Sequence, residues 1–253
     1  MPALRASVLS LTTLLFALLS PARLSAEGAR VPVLLELFTS EGCSSCPPAD
    51  DLLARLDKEQ PLPGIEIIPL AWHVDYWDRL GWKDRFASPL YTARQVAYAH
   101  DKGWEQVYTP QAVVQGQDHA VGQDRPKILA LAQAFSRMPA QRLYVDLRQD
   151  KLGRAQVHIQ GALAGKPVTV ALAEMDLVSD VKRGENAGTT LRHSAVVRLT
   201  APVTARDKDG SLLWGTSVKN LRLESKALRA VAWQETPGDK ILAVGQSAEV
   251  FFK

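Results

Sequence analysis

The chain has 253 residues, and its 30 Lys and Arg residues nearly balance its 27 Asp and Glu residues. The basic residues are scattered along the sequence, so we expect neither a nucleic-acid partner nor a polybasic membrane-binding surface. A chain of this length with 46% hydrophobic residues can form one large domain or two ordinary domains with packed cores.

The first 26 residues have the pattern of a secretory signal peptide. Arg5 precedes an uncharged apolar segment at residues 8–19, and small residues follow up to Ala26, after which we expect cleavage. The apolar segment is too short for a membrane-spanning helix, so we expect no stable membrane span after cleavage. An uncleaved membrane anchor is the alternative. The pattern predicts a periplasmic or secreted protein, in a compartment where disulfides persist.

The only two cysteines, Cys43 and Cys46, are spaced as Cys-x-x-Cys. An apolar run typical of a strand precedes them at residues 33–38, and an amphipathic helix pattern follows them. Both sulfurs should therefore lie at a strand-to-helix corner, where the helix N-terminus favours the Cys43 thiolate. This arrangement predicts disulfide exchange, with Cys43 as the more exposed nucleophile and Cys46 as the resolving cysteine.

Three other interpretations of the pair remain open. A structural disulfide that closes so short a loop would contribute only ~2 kcal/mol in the chain-entropy model. A metal site would need ligands beyond two thiolates, and the five histidines have no paired spacing, so we predict no metal and no other cofactor. Two inert buried thiols are the third interpretation, which the polar spacer Ser44 and Ser45 disfavours.

Further along the chain, residues 65–72 form a second apolar strand, which should run parallel to the first. Residues 111–115 and 117–121 predict a hairpin around Gly116, and residues 125–135 predict a helix. An aromatic-rich insertion lies between these parts and contains a helix start at Ser88. We expect its aromatic residues Trp72, Tyr76 and Trp77 either to line a substrate groove or to form a small separate core.

This order of elements resembles the thioredoxin fold over about residues 31–137. The resemblance implies that Pro110 follows a cis peptide bond and faces the cysteine pair, and that Thr109 presents its backbone to an extended substrate. It also places Glu36 within one residue of a buried acid that accepts a proton from the resolving cysteine. A glutamate at a sheet edge or in an ion pair is the alternative for Glu36.

The motifs at residues 36–50, 72–78 and 108–111 are similar to those of a secreted family known as domain of unknown function 1223 (DUF1223). The likeness runs from about residue 31 to residue 253, and it includes the short segments 183–186 and 191–193. The resemblance implies a thioredoxin-like module, a β-rich tail and an unassigned redox role. A polar hairpin loop explains segments 183–186 and 191–193 equally well.

The tail contains about seven short strand patterns separated by turns, which predict a small β-sandwich. These patterns lie at residues 143–149, 154–160, 167–175, 195–199, 220–223, 228–233 and 241–252. The predicted fold is therefore an α/β thioredoxin-like domain at residues 27–140 with a helical aromatic-rich insertion, followed by a small all-β sandwich-like domain at residues 141–253.

The sequence predicts an exported thiol–disulfide oxidoreductase that acts on protein or small-molecule thiols and disulfides, together with a redox partner protein. The predicted site residues are Cys43, Cys46, Thr109, Pro110, Glu36, Trp72, Tyr76 and Trp77. Two alternatives are a protein that handles copper or another soft metal, and a non-catalytic binding module of the same fold.

Overall fold

The computed structural model describes residues 30–225 and 227–253, so the predicted signal peptide lies outside the described residues. The first half contains β1 (Val31–Thr39), α1 (Pro47–Glu59), β2 (Ile65–His73), a 3₁₀ turn (Asp78–Leu80), α2 (Pro89–Lys102), β3 (Gln111–Val114), β4 (Asp118–Val121) and α3 (Arg125–Ser136). The second half contains β5 (Gln141–Arg142), β6 (Tyr144–Gln149), β7 (Arg154–Gln160), β8 (Val168–Glu174), β9 (Leu177–Asp180), β10 (Thr190–His193), β11 (Val196–Val203), β12 (Leu212–Ser217), a 3₁₀ turn (Lys219–Leu221), β13 (Ala227–Glu235), β14 (Ile241–Gln246) and β15 (Val250–Phe251).

Strands from both halves form one ten-stranded sheet in the order β4-β3-β1-β2-β11-β8-β13-β14-β5, with β15 paired to β13. Strands β1 and β2 are parallel, whereas β3 and β4 are antiparallel to their neighbours. Val196 of β11 pairs in parallel with Ala71 of β2, and this pairing joins the two halves. The remaining strands, β12, β7 and β6, form a separate antiparallel sheet, and β9 and β10 form a hairpin.

The core is divided between the two faces of the large sheet. Because side chains alternate along a strand, Leu35 and Leu37 of β1 pack against α1 and α3, whereas Leu34 and Phe38 pack against α2. In the second half of the chain, the three-stranded sheet packs on the same face of the large sheet that α1 covers in the first half. Leu172 of β8 lies in the core between these two sheets. Eight of the nine residues of β1 are therefore buried, as expected for a strand covered on both faces.

The helix boundaries follow from local chemistry. Two prolines, Pro47 and Pro48, open α1 in a position where a backbone N–H is not needed. Ser88 caps α2, since its hydroxyl accepts a hydrogen bond from the backbone N–H of Leu90. Gly103 ends α2 in the left-handed conformation that glycine adopts without strain. None of the described helices is long and apolar enough to cross a membrane.

The tail differs from the separate small β-sandwich that the sequence predicts. Strands β8, β11, β13 and β14 extend the sheet of the first half instead of forming a sheet of their own. Residues after 140 do form one core cluster by themselves, but a second cluster contains residues of both halves. The strand predicted at residues 220–223 is also wrong, because residues 219–221 form a 3₁₀ turn. Short strand patterns indicate elements but not their neighbours, and here β11 joins β2 through the pairing of Val196 with Ala71.

Candidate functional site

Cys43 and Cys46 form a disulfide at the carboxyl end of β1, with their Cα atoms 5.4 Å apart. Cys46 is the N-cap residue of α1. The N–H groups of Ala49 and Asp50 donate to the Cys46 carbonyl, and the N–H of Cys46 donates to the carbonyl of Cys43. Because Pro47 and Pro48 have no N–H, the first turn directs no free amide at Cys43. Of the predicted electrostatic effects that favour the Cys43 thiolate, only that of the helix dipole remains.

Both cysteines are fully buried, which corrects the prediction that Cys43 is the more exposed of the two. The residues between them, Ser44 and Ser45, are exposed, and the Ser45 hydroxyl lies 3.4 Å from the Cys43 sulfur. The pair thus lies directly beneath the surface at a polar turn. The sequence failed here because the residues that cover Cys43 are about 140 positions further along the chain.

The cover is the loop between β9 and β10, residues 181–189, which we call the lid loop. The Asn186 side-chain amide donates to the carbonyls of Glu41 and Cys43, at 2.9 and 3.0 Å. The Glu185 carboxylate accepts a hydrogen bond from the backbone N–H of Ser44 at 3.1 Å. The Ser44 hydroxyl and this N–H both lower the pKa of Glu185. The lid loop therefore holds the cysteine turn by its backbone on both sides of Cys43.

The loop with Thr109 and Pro110 packs against the start of α1, and the peptide bond between these two residues is cis. Gly122 lies between Pro110 and Ala49 of α1, because a Cβ atom on Gly122 would come within 2.8 Å of both side chains. The indole N–H of Trp77 donates to the Thr109 hydroxyl at 2.7 Å, and the Trp77 side chain also lies against Gly42. Trp77 thus connects the cysteine turn to the proline loop.

Of the other two aromatic candidates, Trp72 lies in the core, and Tyr76 reaches Thr109 of the proline loop. Trp72 is 2% exposed and packs against Phe38, Tyr91 and Trp233, so it is a core residue and not part of a substrate groove. Tyr76 is half-buried, and its hydroxyl donates to Gln95. Of the predicted aromatic residues, only Trp77 touches both the cysteine turn and the proline loop.

Glu36 is not the unpaired acid beside Cys46 that the sequence suggests. It points to the α2 face of the sheet, whereas α1 and Cys46 lie on the other face. Its carboxylate accepts a hydrogen bond from Arg94 at 2.7 Å and another from the Tyr98 hydroxyl. Arg94 also contacts Glu235 at 3.1 Å, so Glu36 belongs to a buried ion-pair network of the core.

The structure brings a different set of ionisable residues together behind the disulfide. We call Glu41, Asp50, His73, Asp84 and His193 the acid–histidine cluster, and all five are buried. His73 Nδ1 lies 2.7 Å from Asp84 Oδ2, and the rings of His73 and His193 meet edge to face with centroids 4.9 Å apart. The two nitrogens of His193 lie 3.5 Å from carboxylate oxygens of Glu41 and Asp50.

The charges of this cluster compensate one another. Burial alone would lower the pKa of His193, but Asp50 and Glu41 outweigh it and raise that pKa to about 10. Burial would likewise raise the pKa of Glu41, and hydrogen bonds that include those from His193 and Trp82 lower it. For Asp84, His73 and two backbone N–H groups outweigh burial and lower the pKa. His193 is therefore an imidazolium between two carboxylates at neutral pH.

The family described as "Protein of unknown function (DUF1223)" matches residues 34–234. The chain belongs to this family. The crystal structure of protein AGR_C_4864 from Agrobacterium tumefaciens is similar to this DUF1223 chain, with 28% identity, a TM-score of 0.67, and coverage of 86% of this chain and 94% of that one.

A second solved structure, HBP35 of Porphyromonas gingivalis, is similar in fold, with 17% identity and a TM-score of 0.60. The alignment covers 87% of the DUF1223 chain and 76% of HBP35. No curated protein matches the sequence significantly.

Sequence reasoning missed most of the acid–histidine cluster, although signals were present. Asp50 follows Cys46 by one helical turn, Glu41 lies two residues after the buried strand β1, and His73 is the last residue of the buried strand β2. His193 and Asn186 fall in the two short tail segments that resemble DUF1223 motifs. Among the described residues, no three His, Cys, Asp or Glu side chains are arranged to hold a metal ion.

A cavity of about 520 Å³ opens beside α1 and reaches the cluster. Its wall includes His193, Arg192 and Ser194 from the end of β10, and Asp51 and Arg55 from the exposed side of α1. His193 therefore separates a solvent-accessible cavity from the buried groups behind the disulfide.

Proposed function

We propose that this DUF1223 chain carries a thioredoxin-like module and works as an exported thiol–disulfide oxidoreductase. The observation that carries the proposal is the Cys43–Cys46 disulfide at the start of α1, next to the loop of Thr109 and Pro110. The order β1-α1-β2-α2-β3-β4-α3, with β1 and β2 parallel and β3 antiparallel, supports a thioredoxin-like module. The signal pattern before residue 27 supports export.

The reaction opens and closes the disulfide through a mixed disulfide. A thiolate of a protein or small molecule attacks the Cys43 sulfur, the bond to Cys46 breaks, and the electron pair stays on the Cys46 sulfur. A second thiolate, or Cys46 itself in the reverse direction, then resolves the mixed disulfide. Cys43 is the attacked sulfur because it lies in the turn next to exposed Ser44, whereas Cys46 is held at the N-cap of α1.

The lid loop must move for this reaction, because Cys43 is fully buried when the loop is in place. Asn186 and Glu185 hold the closed position by three hydrogen bonds to the cysteine turn, all to backbone atoms. Opening the loop breaks these contacts without disturbing the strands of the large sheet. Trp77 and Thr109 lie at the opposite side of the turn, where they would contact a bound substrate.

The decisive experiment is a redox titration of the folded protein against thiol–disulfide buffers. We expect reversible reduction at a midpoint between about −120 and −270 mV, the range of thiol–disulfide oxidoreductases. We further expect a Cys46→Ala variant to hold a model disulfide peptide as a mixed disulfide through Cys43. The matched control, with both Cys43→Ser and Cys46→Ser, should hold none.

A midpoint below about −300 mV, or reduction only after unfolding, would show a structural disulfide and end the proposal. Stoichiometric binding of Cu(I) to the reduced protein, lost in the double variant and accompanied by no exchange activity, would support soft-metal handling instead.

A further inference from the structure

The acid–histidine cluster contains buried polar atoms that the fold alone does not require. The two ring nitrogens of His193 face Glu41 Oε1 and Asp50 Oδ2 at 3.5 Å without forming well-aligned hydrogen bonds, and His73 Nε2 has no hydrogen-bond partner among the described residues. Buried polar atoms with such incomplete hydrogen bonding are costly, and several in one place are uncommon in a stable core. They lie together directly behind the cysteine turn, and the mechanism above uses none of them.

His193 holds the central place in this cluster. Its Nδ1 lies 3.5 Å from Asp50, and its Nε2 lies 3.5 Å from Glu41, two residues before Cys43. Asp50 follows Cys46 by four residues in α1, so both share one face of the helix, and both are buried. The path from Cys46 to His193 thus passes through the Asp50 carboxylate.

His193 borders the 520 Å³ cavity beside α1, although both of its ring nitrogens are buried, so it lies next to solvent without contacting it. Other charged groups face it from every side. His73 with Asp84 behind it lies on the β2 side, Arg192 is its neighbour in β10, and the guanidinium groups of Arg85 and Arg198 lie over the ring of Phe86, which packs against His193.

The excess of carboxylates around His193 keeps it charged. Three carboxylates, those of Glu41, Asp50 and Asp84, face only two imidazoles inside the cluster. The two arginines near Phe86 lie behind that ring and do not touch His193. His193 is therefore protonated at neutral pH, and it lies close to the face of α1 that carries Asp50 and Cys46.

We propose that His193 is a positioning residue for the redox pair. His193 supplies a proton, through Asp50, to the Cys46 sulfur when the disulfide opens. This inference rests on the proposed function. When an external thiolate attacks Cys43, the S–S bond breaks and its electron pair stays on Cys46. The Asp50 carboxylate first accepts the proton of the His193 imidazolium and then passes it to that sulfur, and the neutral His193 takes up a proton from water that enters from the cavity. A buried thiol is formed in place of a buried thiolate.

A purely structural role for His193 makes a different prediction. A histidine that only balances the charges of Glu41 and Asp50 would affect the stability of the fold but not the pH profile of reduction. A proton-supplying histidine affects the rate constant below its pKa and loses that effect above it. The pH profile therefore separates the two roles.

The test is the reduction of the folded protein by dithiothreitol, followed by stopped-flow tryptophan fluorescence from pH 6 to 10.5. Rate constants are expressed per dithiothreitol thiolate, and every variant is also made with Asn186→Ala so that opening of the lid loop does not limit the rate. His193→Gln removes the proton, Asp50→Asn removes the relay, and His158→Gln is the control. His158 is hydrogen-bonded to Ser211 and lies in the three-stranded sheet, away from the cluster.

We expect both His193→Gln and Asp50→Asn to reduce at least tenfold more slowly than the wild type at pH 7, and the difference to disappear near pH 10.5. His158→Gln should match the wild type. If the wild type is reduced and both cluster variants keep its rate and profile, the inference is overturned while the proposed function stands. If His193→Gln does not fold, Asp50→Asn decides alone by the same criterion. If the folded wild type is not reduced at all, the proposed function fails, and this inference with it.

Discussion

Asn186 makes two of the three hydrogen bonds that hold the lid loop closed, so Asn186→Ala should expose the disulfide more often. The substitution removes two hydrogen bonds to the carbonyls of Glu41 and Cys43, at 2.9 and 3.0 Å, from a side chain that is 6% exposed. At about 1 kcal/mol for each bond, the closed position loses about 2 kcal/mol. Because 1.4 kcal/mol corresponds to a factor of ten, the open population should rise roughly 30-fold.

The assay is the rate of disulfide reduction by dithiothreitol under conditions in which opening precedes attack. Asn220→Ala is the matched control, since Asn220 is the other asparagine of the chain and is exposed in a 3₁₀ turn. We expect a rate about 30-fold higher for Asn186→Ala and an unchanged rate for Asn220→Ala, with urea unfolding measured in parallel. An unchanged rate for Asn186→Ala in a stably folded protein would refute the assignment of residues 181–189 as a lid.

Three further substitutions test the ion pairs and the packing of the fold. Glu36→Gln should lower the free energy of unfolding in urea by about 2–4 kcal/mol, because it leaves the buried Arg94 charge with Glu235 as its remaining partner. Glu59→Gln is the control: Glu59 pairs with Arg125 at an exposed position, so this change should cost at most about 1 kcal/mol. The same Glu36→Gln variant should keep the wild-type pH profile of disulfide reduction, and a profile that changes only at neutral pH would return Glu36 to the mechanism. Stability should also fall between about pH 6.5 and pH 10, since the folded pKa of His193 is raised to about 10, and this contribution is fully present below the unfolded pKa and lost as pH rises through the folded one. Between pH 6.5 and pH 10, the free energy of unfolding of the wild type should fall by a few kcal/mol more than that of His193→Gln. An equal change in both proteins would contradict the charge state given to His193. Finally, Gly122→Ala should cost about 1–3 kcal/mol, since its Cβ would come within 2.8 Å of Ala49, Leu37 and Pro110, whereas Gly238→Ala meets its nearest atom at 4.0 Å and should be neutral; equal stabilities would mean that the proline loop packs loosely on α1.

The sequence predicted what depends on neighbouring residues. The strands at residues 33–38 and 65–72 lie within β1 and β2, the hairpin around Gly116 forms, and the predicted helices begin at Pro89 and Arg125. Turn residues, prolines and apolar periodicity act over a few positions, so their effect can be read from the chain. The placement of Thr109 and Pro110 beside α1 came from a resemblance between whole patterns and not from local chemistry.

The sequence could not predict contacts made across long separations. The pairing of Val196 with Ala71 and the bonds from Asn186 to the cysteine turn join residues more than 100 positions apart, and no local pattern specifies them. The error on Glu36 was avoidable, because Leu35 and Leu37 had to face α1, and alternation then sends Glu36 to the other face. The burial of Cys43 followed from the lid loop and could not be read from its own neighbours.

The pairing of β2 with β11 has a consequence for the life of the nascent chain. Until residue 196 has been synthesised, the edge of β2 at Ala71 lacks its partner strand, and an unpaired strand edge recruits strands from other molecules. A fragment that stops after α3 would keep this edge unpaired and should self-associate. The second half of the protein thus protects this strand edge of the first half from pairing with other molecules, and the two halves have to fold together.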